Sequence, residues 1–110
     1  PQQAGVEQVA EWTVQTLLRR VPAAVPGIAF LSGGQAEEVA SAHLNAMNKL
    51  GPLPWALSFS YGRALQHSAL NTWAGKDDNV ASAQSALSHR VQMNAAASSG
   101  AYTSDMEKAA

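Results

Sequence analysis

The sequence predicts an α/β fold of two parallel strands with flanking helices, and three observations predict it. Amphipathic segments with a helical period alternate with two short extended segments. Glycine or proline brackets each extended segment. Each strand runs directly into a glycine-bearing turn and then into a further helical segment, the order of a strand-crossover-strand unit.

In chain order, Val6, Val9, Ala10, Val14, Leu17 and Leu18 recur at steps of three and four, with Glu7, Glu11, Arg19 and Arg20 elsewhere on the turn. Residues about 6 to 20 are therefore read as a helix. Pro22 and Pro26 forbid its continuation. GIAFL, residues 27 to 31, is a continuous apolar run between breakers, as expected of a strand covered on both faces. A second helix fits about 35 to 49, with Glu37 and Glu38 near its positive end and Lys49 near its negative end. GPLP stops it, and WALSFS, residues 55 to 60, alternates with a period of two as a second strand does. A third helix covers about 63 to 73, and Gly75 interrupts it. Asp77 or Asp78 is read as the cap of a last helix reaching about 98, before Gly100. From about 100 to 110 the pattern fades, and a flexible tail is expected there.

Composition bounds what this order can serve. The 110 residues suit one domain, and 46% of them are apolar, enough for a real core. Seven Lys and Arg oppose eight Asp and Glu, a formal net charge of −1, so no global field draws the chain to nucleic acid or to an anionic membrane. The chain has no cysteine, which excludes a disulfide framework and a thiolate metal site. No segment approaches the roughly 18 consecutive apolar residues of a membrane span. PQQAGVEQ has no signal- or transit-peptide character. The absence of an initial methionine leads to the expectation that the chain starts partway through a longer protein, processing being the other explanation.

Consecutive strands joined by a crossover helix should be parallel and right-handed. Two parallel strands leave unsatisfied edges, so the chain is expected to form part of a larger layer or barrel. A complete (β/α)8 TIM barrel takes about 250 residues, and on that scale this chain is a terminal portion. The placement of its turns agrees. GIAFL ends in Ser32-Gly33-Gly34, and WALSFS ends in Tyr61-Gly62-Arg63, so each strand delivers a glycine and a polar residue at its C-terminal end. Barrel active sites lie at that end, and phosphate sites are frequently built from the last strands' loops. Glycines allow backbone N–H groups to approach an anion, and a guanidinium binds phosphate in a bidentate manner, as lysine does not. Either tripeptide alone is a weak signal, and their matched placement carries the reading.

At these residues the sequence also resembles a known family. VPAAVPGIAFLSGGQAEEVASAHLNAMNKLGPLPWALSFSYGRALQHSAL, with the later TWAGK, is similar to the C-terminal part of class I fructose-1,6-bisphosphate aldolases, the Schiff-base type, from about Val9 to about Tyr102. The resemblance implies a β/α barrel, usually a homotetramer without a cofactor, in cytoplasm or plastid. It implies reversible cleavage of fructose 1,6-bisphosphate to dihydroxyacetone phosphate and glyceraldehyde 3-phosphate through an iminium on a barrel lysine. By the same resemblance, Ser32 and Gly33 bind the phosphate on C1 of the sugar, and Gly62 and Arg63 complete that pocket. The family's Schiff-base lysine and acid/base carboxylates align upstream of Pro1, so no catalytic residue is assigned to this chain, and alone it is expected to be inactive. The competing reading is a noncatalytic aldolase-like assembly or interaction module.

The family's tail usually ends in a functional tyrosine, whereas this chain ends Glu107-Lys108-Ala109-Ala110, and Tyr102 matches the tyrosine at the start of that tail. Ala36 stands where the family commonly has serine, a change that bears on helix capping. The remaining polar and aromatic residues receive structural readings. Lys49, Lys76 and Lys108 are solvated charges, and His43, His67 and His89 are helix-surface or interface residues with no metal among them. The spacing of His67, four positions after Arg63, could bring it near the anticipated phosphate, but a surface role is the preferred reading. Trp12, Trp55 and Trp73 are read as packing anchors, and Glu37 and Glu38 as charges matched to the helix dipole.

Overall fold

The computed structural model describes residues 2–109. Its elements follow the anticipated order: α1 (Val6–Arg20), β1 (Gly27–Phe30), α2 (Glu37–Lys49), β2 (Ala56–Phe59), α3 (Arg63–Trp73) and α4 (Val80–Ser98), with 3-10 turns at Asp77–Asn79 and Ser104–Ala109. β1 and β2 pair in parallel, Gly27 opposite Ala56 and Phe30 opposite Phe59. The crossover through α2 is what makes the pairing parallel.

Helix α2 is the central element. Leu44 and Met47 on one of its faces meet Ala10 and Val14 of α1, Trp55 and Leu57 at the second strand, and Met93 and Ala97 of α4. Asn48, within this apolar surface, donates through Nδ2 to the carbonyls of Leu44, Leu57 and Ala97. One amide thereby ties a helix, a strand and a second helix together, which explains a polar residue at a packed position. Of the three indoles read as packing anchors, only Trp55 joins the core cluster of the described residues. Trp55 is 4% exposed and donates Nε1–H to the Pro22 carbonyl, whereas Trp12 is 62% exposed and Trp73 43%.

Strand β1 departs from the expectation of cover on both faces. Ile28 and Phe30 are half-buried against the helices, while Gly27 and Ala29 are exposed, because no element among the described residues packs on that side. Both strands also keep an unpaired edge in a two-stranded sheet. The radius of gyration is 15.2 Å, against about 13 Å for a self-contained globule of this length. The molecule is a slab of 50 × 35 × 23 Å rather than a ball.

Helix α3 ends in left-handed backbone at Ala74 and Gly75, where the sequence placed the interruption. The capping assignment at Asp77 and Asp78 is corrected. Both are exposed in the 3-10 turn, Asn79 precedes α4, and none of them caps it by a side chain. Asn79 Nδ2 reaches back to the Trp73 carbonyl instead, which closes the connection.

Candidate functional site

The two turns after the strands lie side by side, because the parallel register sets Phe30 next to Phe59 and both chains leave the sheet at the same end. Ser60 N–H, one step beyond β2, donates to the Phe30 carbonyl at 2.8 Å and extends the pairing to the rim. Beyond Phe30, Gln35 N–H closes a four-residue turn on the Ser32 carbonyl at 3.2 Å. Its central residues Gly33 and Gly34 have φ of +64° and +83°, the signature of a type I′ turn. That left-handed backbone is the reason the apolar segment ends in two glycines. Ser32 itself is buried at 8% exposure.

The second turn is held from below. Tyr61 is buried, and its hydroxyl donates to the Ala40 carbonyl of α2 at 3.0 Å, with burial pushing the phenol up to about 12. This contact fixes where Gly62 and Arg63 begin α3. Gly62 is the N-cap, and its carbonyl accepts from Leu65 and Gln66. Arg63, the first residue of the helix, is exposed, and among the described residues it joins none of the ion pairs, which are His89–Glu107, Arg90–Glu107 and Lys108–Asp105. A guanidinium at a helix start next to an open glycine turn is positioned to hold an anion.

Arg63 shares an open cleft of about 540 Å³ with Gly34, His67 and the first turn of α2, including Glu37 and Glu38. Of the four residues singled out by sequence, only Arg63 lines this cleft; Ser32, Gly33 and Gly62 lie in the turns beside it. His67 is exposed one helical turn beyond Arg63, where its Nε2 meets Asn71 Nδ2 at 3.1 Å. Glu37 does more than match the dipole: its carboxylate accepts from both the hydroxyl and the N–H of Ser68 on α3.

A second polar centre was not foreseen in the sequence. Arg90 of α4 is 4% exposed and forms a two-pronged pair with Glu107, Nη1 to Oε1 at 2.9 Å and Nη2 to Oε2 at 2.6 Å. Nη2 also donates to Ser41 on α2 at 2.8 Å, and Tyr102 donates its hydroxyl to Glu107 at 2.7 Å. Burial works against ionisation of Glu107, but hydrogen bonds from Arg90, Tyr102 and His89 outweigh it and hold its carboxyl at about 2. Burial and the neighbouring carboxylate push Tyr102 up to about 12. In the stretch expected to form the tail, Tyr102 is buried and its N–H donates to Asn45 Oδ1 at 2.9 Å. The signal available in the sequence was an arginine between apolar Leu87 and Met93, with its partner far along the chain.

The histidines divide. His43 is a core residue and not a surface one, and burial lowers its pKa and keeps the ring neutral. Among the described residues, no group of His, Cys, Asp and Glu is placed to hold a metal ion. Lys49, Lys76 and Lys108 are exposed. No helix of the described residues is long and apolar enough to cross a membrane.

Comparison with known proteins adds to this geometry. The model of the glycolytic, class-I fructose-bisphosphate aldolase family matches residues 1–110. Fructose-bisphosphate aldolase 1 of Caenorhabditis elegans is 62% identical over 84% of this chain and 26% of its own length. The chloroplastic aldolase of Oryza sativa subsp. japonica is 56% identical over 96% of the chain, and the cytoplasmic isozyme of Spinacia oleracea 59% over 87%, each over 27% of its own length. The solved structure of Plasmodium falciparum fructose-bisphosphate aldolase, in complex with TRAP and a small molecule inhibitor, superposes with a TM-score of 0.90 at 55% identity, covering 93% of this chain and 29% of that one. The chain thus spans about a quarter of the length of the relatives it matches.

Proposed function

Because the chain belongs to the class-I fructose-bisphosphate aldolase family, we propose that it is the C-terminal portion of such an enzyme's barrel and supplies the substrate-phosphate rim of the active site. The parent cleaves fructose 1,6-bisphosphate reversibly to dihydroxyacetone phosphate and glyceraldehyde 3-phosphate. Arg63 holds the phosphate on C1 by its guanidinium, and the backbone N–H groups of the Ser32-Gly33 and Gly62 turns approach its remaining oxygens. Holding that end fixes the distance from the phosphate to the ketose carbonyl, so the carbonyl is delivered to the lysine contributed by the rest of the barrel. Lys49, Lys76 and Lys108 are exposed, so burial does not activate them as nucleophiles. The unpaired edges of the two-stranded sheet are then continued by the barrel's other strands. We extend the same reading to assembly as a homotetramer and to residence in cytoplasm or plastid.

One observation carries this reading: two glycine turns delivered by adjacent parallel strands, with an arginine directly after the second turn that lines an open cleft and joins no ion pair among the described residues. The test exchanges only the segment of the Caenorhabditis elegans enzyme that this chain matches, leaving the rest of that enzyme in place, its own tail included, and compares the resulting chain with its Arg63→Ala variant. The loss of a charge-assisted bidentate contact of about 1.5 to 3 kcal/mol raises KM for the bisphosphate roughly 10- to 100-fold. An unchanged KM rejects the role of Arg63. A fusion that folds but cleaves nothing favours a noncatalytic module, and borohydride trapping of a substrate adduct on a lysine within this segment rejects the division of labour.

A further inference from the structure

We propose that Ser68 is a positioning residue that keeps the Glu37 carboxylate off Arg63, so that the guanidinium stays available to phosphate; this rests on the reading of Arg63 given above. Glu37 and Arg63 line the same cleft. A carboxylate there is the strongest competitor that the chain itself offers for a bidentate guanidinium. Glu37 nonetheless makes no ion pair with Arg63, and both of its oxygens are engaged by Ser68: Oε1 by the hydroxyl and Oε2 by the N–H at 3.4 Å. Ser68 lies on α3 a little over one turn past Arg63, and Glu37 is the first residue of α2. The contact therefore joins the two helices that follow the two candidate turns, and it anchors the carboxylate to a residue more than one turn along α3 from Arg63.

The rest of the rim is consistent with this arrangement. Glu38, the other acid in the cleft, is exposed and forms no ion pair among the described residues, so water screens it. Glu37 is half-buried, where an unengaged carboxylate is driven to find a donor. Glu37 lines one cleft with Arg63 and another with Arg90, and Arg90 is already paired with Glu107, so once Ser68 is removed the guanidinium without a carboxylate partner is that of Arg63. Self-pairing would occupy both prongs of the fork, and a ligand phosphate would then have to displace the carboxylate.

The experiment measures KM for fructose 1,6-bisphosphate in the reconstituted barrel. Ser68→Ala is expected to raise KM about 3- to 10-fold with kcat little changed, Ser68→Thr to stay within about twofold of the parent, and Ser68→Ala with Glu37→Gln to recover most of the loss. Ser68→Ala on top of Arg63→Ala is expected to add nothing. If Arg63→Ala raises KM and Ser68→Ala does not, this inference falls and the role of Arg63 stands. If Arg63→Ala is itself without effect, both fall. A loss in Ser68→Ala that Glu37→Gln fails to rescue also overturns the inference, because a merely structural contact gives that result. Ser68→Cys, close in size and a weak donor, repeats the alanine arm should that chain not fold.

Discussion

Arg63 and Arg90 occupy opposite environments, and the contrast separates the arginine proposed to bind phosphate from a structural one. Arg90 is buried and charge-paired: Glu107 takes both prongs, Ser41 takes a further proton, Tyr102 and His89 complete the carboxylate's partners, and the one donor without a partner, Nε–H, is buried out of a ligand's reach. Arg63 is exposed at a helix start, beside an open cleft, with no carboxylate paired to it among the described residues. A guanidinium already neutralised inside the protein has nothing left for a ligand. One left unpaired at a rim built from glycine turns has everything left.

The sharpest way to break this contrast is to exchange the consequences. Removing one partner of a buried pair strands a charge in low dielectric, so Glu107→Ala or Arg90→Ala is expected to cost about 3 to 5 kcal/mol of stability, read from a urea midpoint. Replacing both together, Arg90→Met with Glu107→Leu, should recover most of that loss, because the pair's own attraction is largely offset by desolvation. Arg63→Ala should instead leave the midpoint within about 0.5 kcal/mol while KM rises. If the buried pair proves silent in stability, or Arg63 proves costly, the two roles have been assigned the wrong way round.

Acidity sharpens the same comparison. Glu107 titrates near 4.5 in an unfolded chain and at about 2 in the folded one. A depressed carboxyl stabilises the fold fully above about pH 4.5, and that contribution, roughly 1 to 3 kcal/mol, is lost as pH falls through about 2. Tyr102 has the opposite sign. Its pKa is raised from 10 to about 12, so its contribution is complete below pH 10 and disappears between 10 and 12. Glu107→Gln should flatten the acid limb, and Arg63→Ala should leave it unchanged. An acid limb that survives Glu107→Gln would assign it to other carboxylates.

The two centres were unequally legible in sequence for a physical reason. The rim is local: strand, glycine turn and helix start follow one another within a few residues, so periodicity and breakers place Gly33, Gly34, Gly62 and Arg63 without tertiary knowledge. The Arg90 cluster draws on α2, α4 and the segment after α4, and Arg90 and Glu107 meet only through packing. The last turn illustrates this, since nothing periodic in TSDMEKAA announces that Glu107 will dock. His43 misled for a related reason. A histidine on an amphipathic helix looks like surface, and only the approach of neighbouring elements buries it. The indoles misled in the other direction, because Trp12 and Trp73 lie on faces that no described element covers.

A smaller effect tests how α2 starts beside the rim. Ala36 is the N-cap of α2 with extended backbone and no side-chain cap. Ala36→Ser should add about 0.5 to 2 kcal/mol by accepting a free N–H of the first turn. KM should stay unchanged, because stabilising α2 moves neither Arg63 nor the carboxylate parked on Ser68. A KM that falls with Ala36→Ser would mean that fraying of α2 was limiting access to Arg63.

The finest test lies within the rim, where two glycines serve different ends. Gly33 has φ of +64°, a conformation that costs an alanine about 1 to 2 kcal/mol. Gly62 has φ of −93°, and a Cβ there meets nothing within 4 Å. Gly62→Ala should therefore lower stability only by about 0.5 to 1 kcal/mol, the disadvantage of alanine against glycine at an N-cap. If a phosphate oxygen comes up to the Gly62 amide, the added methyl obstructs it and KM rises about tenfold, the equivalent of one charge-assisted hydrogen bond. Gly33→Ala should lower stability and raise KM together. A folded Gly62→Ala chain with unaltered KM would remove that amide from the pocket and leave Arg63 to hold the phosphate with the Ser32-Gly33 turn alone.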